Sequence, residues 1–349
     1  METLWLVLVA GMMTAYVVLD GFDLGVGVLY KILGRSEEDR ATLRHAIGPV
    51  WDANEVWLLA AGGTLYFAFP ALYAAAFSGF YLPLMMVLWL LIGRGLGLEL
   101  RDHIPDPLGR QICDAIFMIS SVVLAVVLGA ALGNVVRGVP LDADGYFFLP
   151  LWTNFRPGPQ PGVLDWYTVL CGLVALVALA THGAHYLALR TSGDVNARAR
   201  RLALMGGRSL TVLLVLSLFA SLAVRPGLLD NFRTHPFGLV IPLAVAAALV
   251  TMELAARRCR ERAAFAASCV FLIGTLAGAA FALYPVLLPS SDDPGRALTV
   301  QGAASDGYAL RVALGWWIAG MILVTASFRY LYGQFRGKVA AGMSHPGGH

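Results

Sequence analysis

The sequence predicts an all-α integral membrane protein with nine transmembrane helices, and three observations carry that prediction. Of 349 residues, 58% are hydrophobic and only 13% charged, whereas about a quarter of a soluble domain is charged. The mean hydropathy is +0.71. The apolar residues fall in nine runs close to the ~20 residues a helix needs to cross the hydrocarbon core, with short Lys and Arg clusters between them. This composition excludes soluble enzymes and disordered scaffolds. A net charge of +3 from 25 basic and 22 acidic residues is too small for a nucleic-acid footprint.

The first span, residues 4–30, follows Met1-Glu2-Thr3, a start without the positive charge of a signal peptide, and is expected to remain as a helix. Residues 53–70 and 74–98 are nearly continuous, broken at Pro70 and near Gly79, which predicts a tight helical hairpin. The fourth span covers 114–136. Residues 137–165 then carry the run Pro157-Gly158-Pro159-Gln160-Pro161-Gly162 and read as an outer connector. Spans at 166–188, 209–225, 238–256, 263–287 and 310–332 complete the set. Cys113, Cys171, Cys259 and Cys269 show no CxxC spacing and are read as small buried hydrophobes. The tail Ser344-His345-Pro346-Gly347-Gly348-His349 reads as a flexible end.

Positive charge is retained on the cytoplasmic side of a membrane. The odd-numbered connections and the tail hold 19 of the basic residues and the even-numbered connections six, which predicts the N-terminus outside and the C-terminus in the cytoplasm. The charge rhythm repeats over spans 1–4 and 5–8. The expected organisation is therefore a first four-helix bundle over 1–137, an outer connecting loop over 138–165, a second four-helix bundle over 166–289, and an outer loop, peripheral ninth helix and cytoplasmic tail over 290–349.

Ionisable side chains inside a bilayer are costly, so each marks a function until a structural partner accounts for it. Asp20 and Asp23 lie three apart on one face of span 1, in its cytoplasmic half. Asp52 and Glu55 lie three apart where span 2 begins, and Arg94 lies within span 3 between Gly93, Gly95 and Gly97. Glu99 and Asp114 mark the inner ends of spans 3 and 4. Two readings are open for these residues. One is a buried ion pair, Arg94 with Asp23, that fixes helix register, together with N-capping of span 2 by Asp52 or Glu55. The other is an acidic antechamber that conducts protons from the cytoplasm, helped by Asn54 and by water admitted at Gly62-Gly63. The glycines of Asp20-Gly21-Phe22-Asp23-Leu24-Gly25-Val26-Gly27 give the small-xxx-small spacing of closely packed membrane helices. His182 and His185, in span 5, read as hydrogen-bonded interior histidines, because no other histidine falls within a span to complete a haem ligand pair. Glu253 ends span 7.

Residues 20–27 (DGFDLGVG), 48–63 (GPVWDANEVWLLAAGG), 73–81 (YAAAFSGFY) and 283–291 (LYPVLLPSS) resemble subunit II of the bacterial cytochrome bd quinol oxidases in order and spacing along nearly the whole chain. The Asp52-Ala53-Asn54-Glu55 version, where many relatives carry Gly in place of Ala53, resembles the cyanide-insensitive branch. The resemblance implies a subunit of a terminal oxidase in the bacterial cytoplasmic membrane that oxidises quinol and reduces dioxygen to water. It implies haem b and haem d, or b only, in the partner subunit I and no haem in this chain. It also implies membrane lipids, and in some relatives single-helix subunits and a structural quinone. It places Asp52 on a proton path, to which the antechamber reading of the residues adds Glu55 and Asp20, and it links Asp23 and Arg94 to haem retention in the partner. A stand-alone proton- or cation-coupled transporter is the alternative reading of the spans and buried acids.

Overall fold

The computed structural model describes residues 1–158, 160–335 and 337–339. Pro159, Arg336 and the 344–349 tail, all read from the sequence above, lie outside the described residues. Helix α1, Glu2–Leu33, is followed by α2, Glu37–Ile47, α3, Trp51–Ala68, α4, Pro70–Gly79, and α5, Tyr81–Glu99. Then come α6, Pro107–Arg137, α7, Trp166–Arg190, and α8, Gly193–Val224. A short α9, Asp230–Thr234, leads to α10, Val240–Arg257, and α11, Glu261–Leu283. An antiparallel pair, β1, Val286–Leu288, and β2, Leu298–Thr299, precedes α12, Val300–Ala303, and α13, Gly307–Gln334.

Among the described residues, eight helices are long and apolar enough to cross a membrane, and the pair α3–α4 supplies a ninth if counted as one span. That pair corrects the expected hairpin. Residues 74–79, read as the start of span 3, belong to α4, which is bent by 119° from α3. Pro70 is the cause. It occupies the first position of α4, where its missing N–H costs nothing, and it forces Phe69 out of the helical region, to φ −136° and ψ 65°.

Two further boundaries moved for physical reasons. Helix α8 begins at Gly193 rather than 209, because hydropathy detects only the lipid-facing part of a helix and not the charged turns carrying Arg198, Arg200 and Arg201. Helix α11 stops at Leu283 rather than 287. Pro285 cannot continue a helix, and the apolar Val286–Leu288 pairs as strand β1.

Helix α1 is central, packing against α3, α6, α7 and α11. Its contact with α7 is backbone against backbone. A Cβ added at Gly25 would lie 2.0 Å from the Leu179 carbonyl oxygen and 2.8 Å from the Gly183 Cα. Helix α6 meets α7 in the same way, at Gly129 and Gly172. Small residues therefore set helix separation where lipid supplies no hydrophobic drive between helices.

Ionic networks close both ends. In the connector, Asp165 caps α7 by accepting from the Tyr167 and Thr168 amides. It also pairs with the buried Arg137 guanidinium, which donates to Asn134 Oδ1 at 2.6 Å. At the other end, α2 packs on α1 and α7 and is tied by ion pairs to α6 and to the residues that follow α5. Arg101 Nε donates to Asp114 at 2.5 Å and its Nη2 to Glu37 at 2.7 Å, while Arg198 of α8 pairs with Asp39 at 2.8 Å.

Partial burial opposes ionisation of Glu37 and Asp39. Hydrogen bonds from Arg101 and Arg198 outweigh it and hold both carboxyls below their usual range. A depressed carboxyl contributes stability that is present above its unfolded pKa of about 4 and is lost as pH falls through the folded value. The amides of α2 are thus expected to keep constant protection from neutral pH down to about pH 5 and to open below about pH 4. Hydrogen exchange corrected for intrinsic rate measures this, and protection persisting well below that range would show that these ion pairs do not hold α2.

Candidate functional site

Of the ionisable residues singled out by the sequence, Asp20, Asp23, Glu55 and Arg94 converge on one face of α1. Tyr16, Asp20 and Asp23 follow i, i+4, i+7 spacing and form a single stripe, each 2% exposed or less. Facing them are Asn54 and Glu55 of α3, Arg94 of α5 and Tyr332 of α13. Glycines place the cation. Gly93 packs on Ser120, and Gly97 on the backbone of Cys113 and Phe117 in α6, so α5 lies tightly on α6 with the intervening Arg94 directed at α1.

Arg94 does not pair with Asp23, which corrects the sequence expectation. Its Nη1 donates to Asp20 Oδ1 at 2.7 Å and its Nη2 to Glu55 Oε1 at 3.1 Å. Its guanidinium also sits 5.9 Å from the centre of the Trp51 ring. Asp23 instead accepts from Asn54 Nδ2 at 2.8 Å, and Oδ1 of the same Asn54 amide accepts from the Tyr332 hydroxyl at 2.7 Å. The two acids are three residues apart, about 60° around the helix, and the rotation of α1 against α5 decides which one meets the cation.

Asp52 lies one turn before Glu55, exposed at the start of α3. It does not cap the helix, whose N-cap is Val50 with no side-chain bond. The side chain of Glu55 is 23% exposed and that of Asp20 fully buried. The acids therefore run from exposed to half-buried to enclosed, ending at Tyr16. Within this cluster Asp20 Oδ2, Asp23 Oδ1, Tyr16 Oη and Arg94 Nε have no hydrogen-bond partner in the protein. Buried polar atoms left over in this way are uncommon, and here they are concentrated in one place.

Beyond Tyr16 the stripe becomes apolar. Met12 takes the next turn, its sulfur accepting from Thr64 Oγ1 at 3.6 Å and Trp317 Nε1 at 3.4 Å. Val9 and Trp5 follow, packed with Phe69, Val300 and Leu310. Tyr16 lies about 21 Å along α1 from Glu2, so the polar stripe reaches only the middle of the span.

Glu99 and Asp114 do not join the cluster: Glu99 is exposed and Asp114 belongs to the Arg101 network. Glu253 pairs with Arg257 at 2.6 Å and Arg208 at 3.1 Å. His182 Nε2 donates to the Val18 carbonyl at 2.9 Å, its Nδ1 lies 2.7 Å from Ser268 Oγ, and its ring stacks on Phe265. His185 is buried one turn on, with Nε2 unpartnered. Among the described residues no three His, Cys, Asp or Glu side chains gather as a metal site.

Tyr16 and Tyr332 were not singled out by the sequence. Tyr16 could have been, from its position four residues before Asp20. Tyr332 could not, because 278 residues separate it from Asn54 and no local pattern marks it.

Residues 1–335 match the family described as cytochrome bd terminal oxidase subunit II. The chain is 33% identical over 350 residues to the cytochrome bd-I ubiquinol oxidase subunit 2 of Escherichia coli K12, covering 92% of this chain and 89% of the relative. It is 32% identical to the cytochrome bd ubiquinol oxidase subunit 2 of Bacillus subtilis, covering 97% of each. The fold is similar to a chain in the structure of bd oxidase from Geobacillus thermodenitrificans, with a TM-score of 0.73 at 18% identity over 96% of this chain and 98% of that one.

Proposed function

The chain belongs to the cytochrome bd terminal oxidase subunit II family, and from that membership we propose that it braces a haem-bearing partner and carries protons inward from the cytoplasm as far as mid-membrane. It is a multi-pass membrane subunit of a quinol oxidase, a complex that implies a subunit I and that uses haem and quinol. Membership sets aside the transporter alternative.

The observation that carries the proton path is the one-sided stripe: Asp52 exposed, Glu55 half-buried, Asp20 enclosed with Arg94, and Tyr16 last before an apolar plug. Carboxyl groups outnumber the single guanidinium, and one cation satisfies only a limited number of them. The cluster can therefore take up a proton and hand it on, and Asp20 Oδ2 and Asp23 Oδ1 have hydrogen-bonding capacity to spare. The plug of Met12, Val9 and Trp5 blocks leakage to the other side. The uneven distribution of basic residues supports an outer N-terminus and a cytoplasmic C-terminus, which puts Asp52 at the cytoplasmic mouth.

We place the haems in subunit I. Both ring nitrogens of His182 are occupied by protein groups, which leaves it unsuited to ligate iron, and His185, whose Nε2 is unpartnered, has no second histidine within another span to complete an axial pair. Residues 1–137 and 166–289 are read as two four-helix bundles joined by 138–165, with α13 peripheral. Single-helix subunits and a structural quinone belong to the same reading of the assembled oxidase.

The test is quinol-dependent oxygen consumption by the assembled complex. Asp52→Asn and Glu55→Gln keep the polar shape but cannot exchange a proton. Each is expected to lower turnover on the order of tenfold or more with haem content unchanged. Unchanged turnover of both variants from about pH 6 to about pH 9, the range in which such relays titrate, would rule out the path.

A further inference from the structure

A crevice of about 760 Å³ opens between α1, α7, α11 and the end of α13, a volume in the range of small-molecule sites. Its walls are apolar, formed by Val18, Phe22, Leu189, Phe265, Cys269 and Phe335. Its rim is basic, with Arg190, Arg260, Arg262 and Lys338 around one carboxylate, Glu261. That carboxylate is already engaged, pairing with Lys338 at 2.7 Å and accepting from Asn196 at 2.9 Å. Arg260 and Arg262 are exposed and have no ion-pair partner among the described residues. Arg190 donates through Nη1 to the Gly337 carbonyl at 2.5 Å, while its buried Nε has no partner.

We propose that this crevice is a binding site for an anionic phospholipid, with its phosphate held on the Arg190, Arg260 and Arg262 rim and one acyl chain laid between α1, α7 and α11. The charge selects the occupant. A neutral or zwitterionic amphiphile would fill the walls but bring no net counter-charge to the guanidinium groups, whereas a lipid of net negative charge brings one, and its phosphate accepts bidentate hydrogen bonds from Arg. Basic pockets between membrane helices recognise lipid headgroups by this chemistry. Tyr332 also lines the crevice and donates to Asn54, so a seated chain packs against the end of α13 that closes the acidic cluster.

The experiment places the assembled complex in nanodiscs containing phosphatidylglycerol with a diazirine on its acyl chain and maps the labelled peptides after irradiation. Label is expected on the crevice residues of α7 and α11, and a phosphatidylcholine analogue should label them no more than it labels the lipid-facing side of α8. Arg260→Gln with Arg262→Gln should cut the phosphatidylglycerol label roughly tenfold or more. Cys269→Phe, which narrows the walls without touching charge, should also remove it. Equal labelling by the two lipids, or label unchanged when both arginines are replaced, would overturn the proposal. So would displacement of the label by glycerol 3-phosphate as readily as by intact lipid, or recovery of a neutral isoprenoid quinone from the crevice in its place. The comparison of the two lipids on the unaltered complex stands even if a variant fails to assemble.

Discussion

Arg94→Leu is expected to prevent recovery of a haem-loaded complex, measured as the reduced-minus-oxidised absorption spectrum of purified membranes expressing this chain with its partner subunit. The substitution leaves Asp20, fully buried, and the half-buried Glu55 without the guanidinium that joins them. Removing one partner from a buried ion pair costs about 3–5 kcal/mol, set against a total stability on the order of 5–15 kcal/mol for a folded domain. Arg94→Lys should recover only part of the yield, since an ammonium cannot present the two-armed geometry that reaches both acids. Asp23→Asn should be mild, because Asp23 accepts from the Asn54 amide and an amide oxygen can accept in its place. Combining Arg94→Leu with Asp20→Leu removes both charges of the closest pair and should restore assembly in part while turnover stays low, a coupling that a double-mutant cycle isolates. Full haem content in Arg94→Leu would mean that the ion pair does not hold the fold.

Gly25→Leu is expected to be as severe, for a steric reason. The atoms a Cβ would meet at Gly25 are the Leu179 carbonyl oxygen at 2.0 Å and the Gly183 amide nitrogen and Cα at 2.8 Å. These are backbone atoms of α7 and cannot change rotamer to make room. Overpacking against movable side chains costs about 1–3 kcal/mol. Here α1 and α7 must separate along their length, pulling Asp20 and Asp23 out of register with Arg94 and Asn54. Even Gly25→Ala should lower the yield of complex. Gly11→Ala, on the same helix with nothing within 4 Å, should be tolerated, since alanine favours the helix by about 1 kcal/mol. Size-exclusion profiles and thermal unfolding of the two alanine variants make the comparison, and equal behaviour would show that the α1–α7 contact is not fixed by backbone approach.

The spans were legible wherever hydropathy and structure have one cause, a helix exposed to lipid. They were not legible at α4, where a ten-residue, mostly apolar helix that opens with a proline continues the hydrophobic run but turns by 119°, nor at the start of α8, where a charged helix extends beyond the apolar stretch. Hydropathy records what a residue prefers to touch, and it carries no information on the direction of the chain.

The sequence by itself determined that the chain is a helical membrane protein, which family it resembles, and that Asp20, Asp23, Asp52, Glu55 and Arg94 are its unusual residues, because burying charge is costly wherever it occurs. Tertiary structure alone decided that Arg94 meets Asp20 and Glu55 while Asp23 is linked through Asn54 to Tyr332. It alone decided that Asp52 faces outward and that the polar stripe ends at Tyr16. Residues three apart share a helix face at the resolution of a sequence pattern. The contact of α1 with α7 at Gly25 and Gly183 fixes the last rotation of about 60°, which chooses between the two acids, and that contact joins residues 158 positions apart.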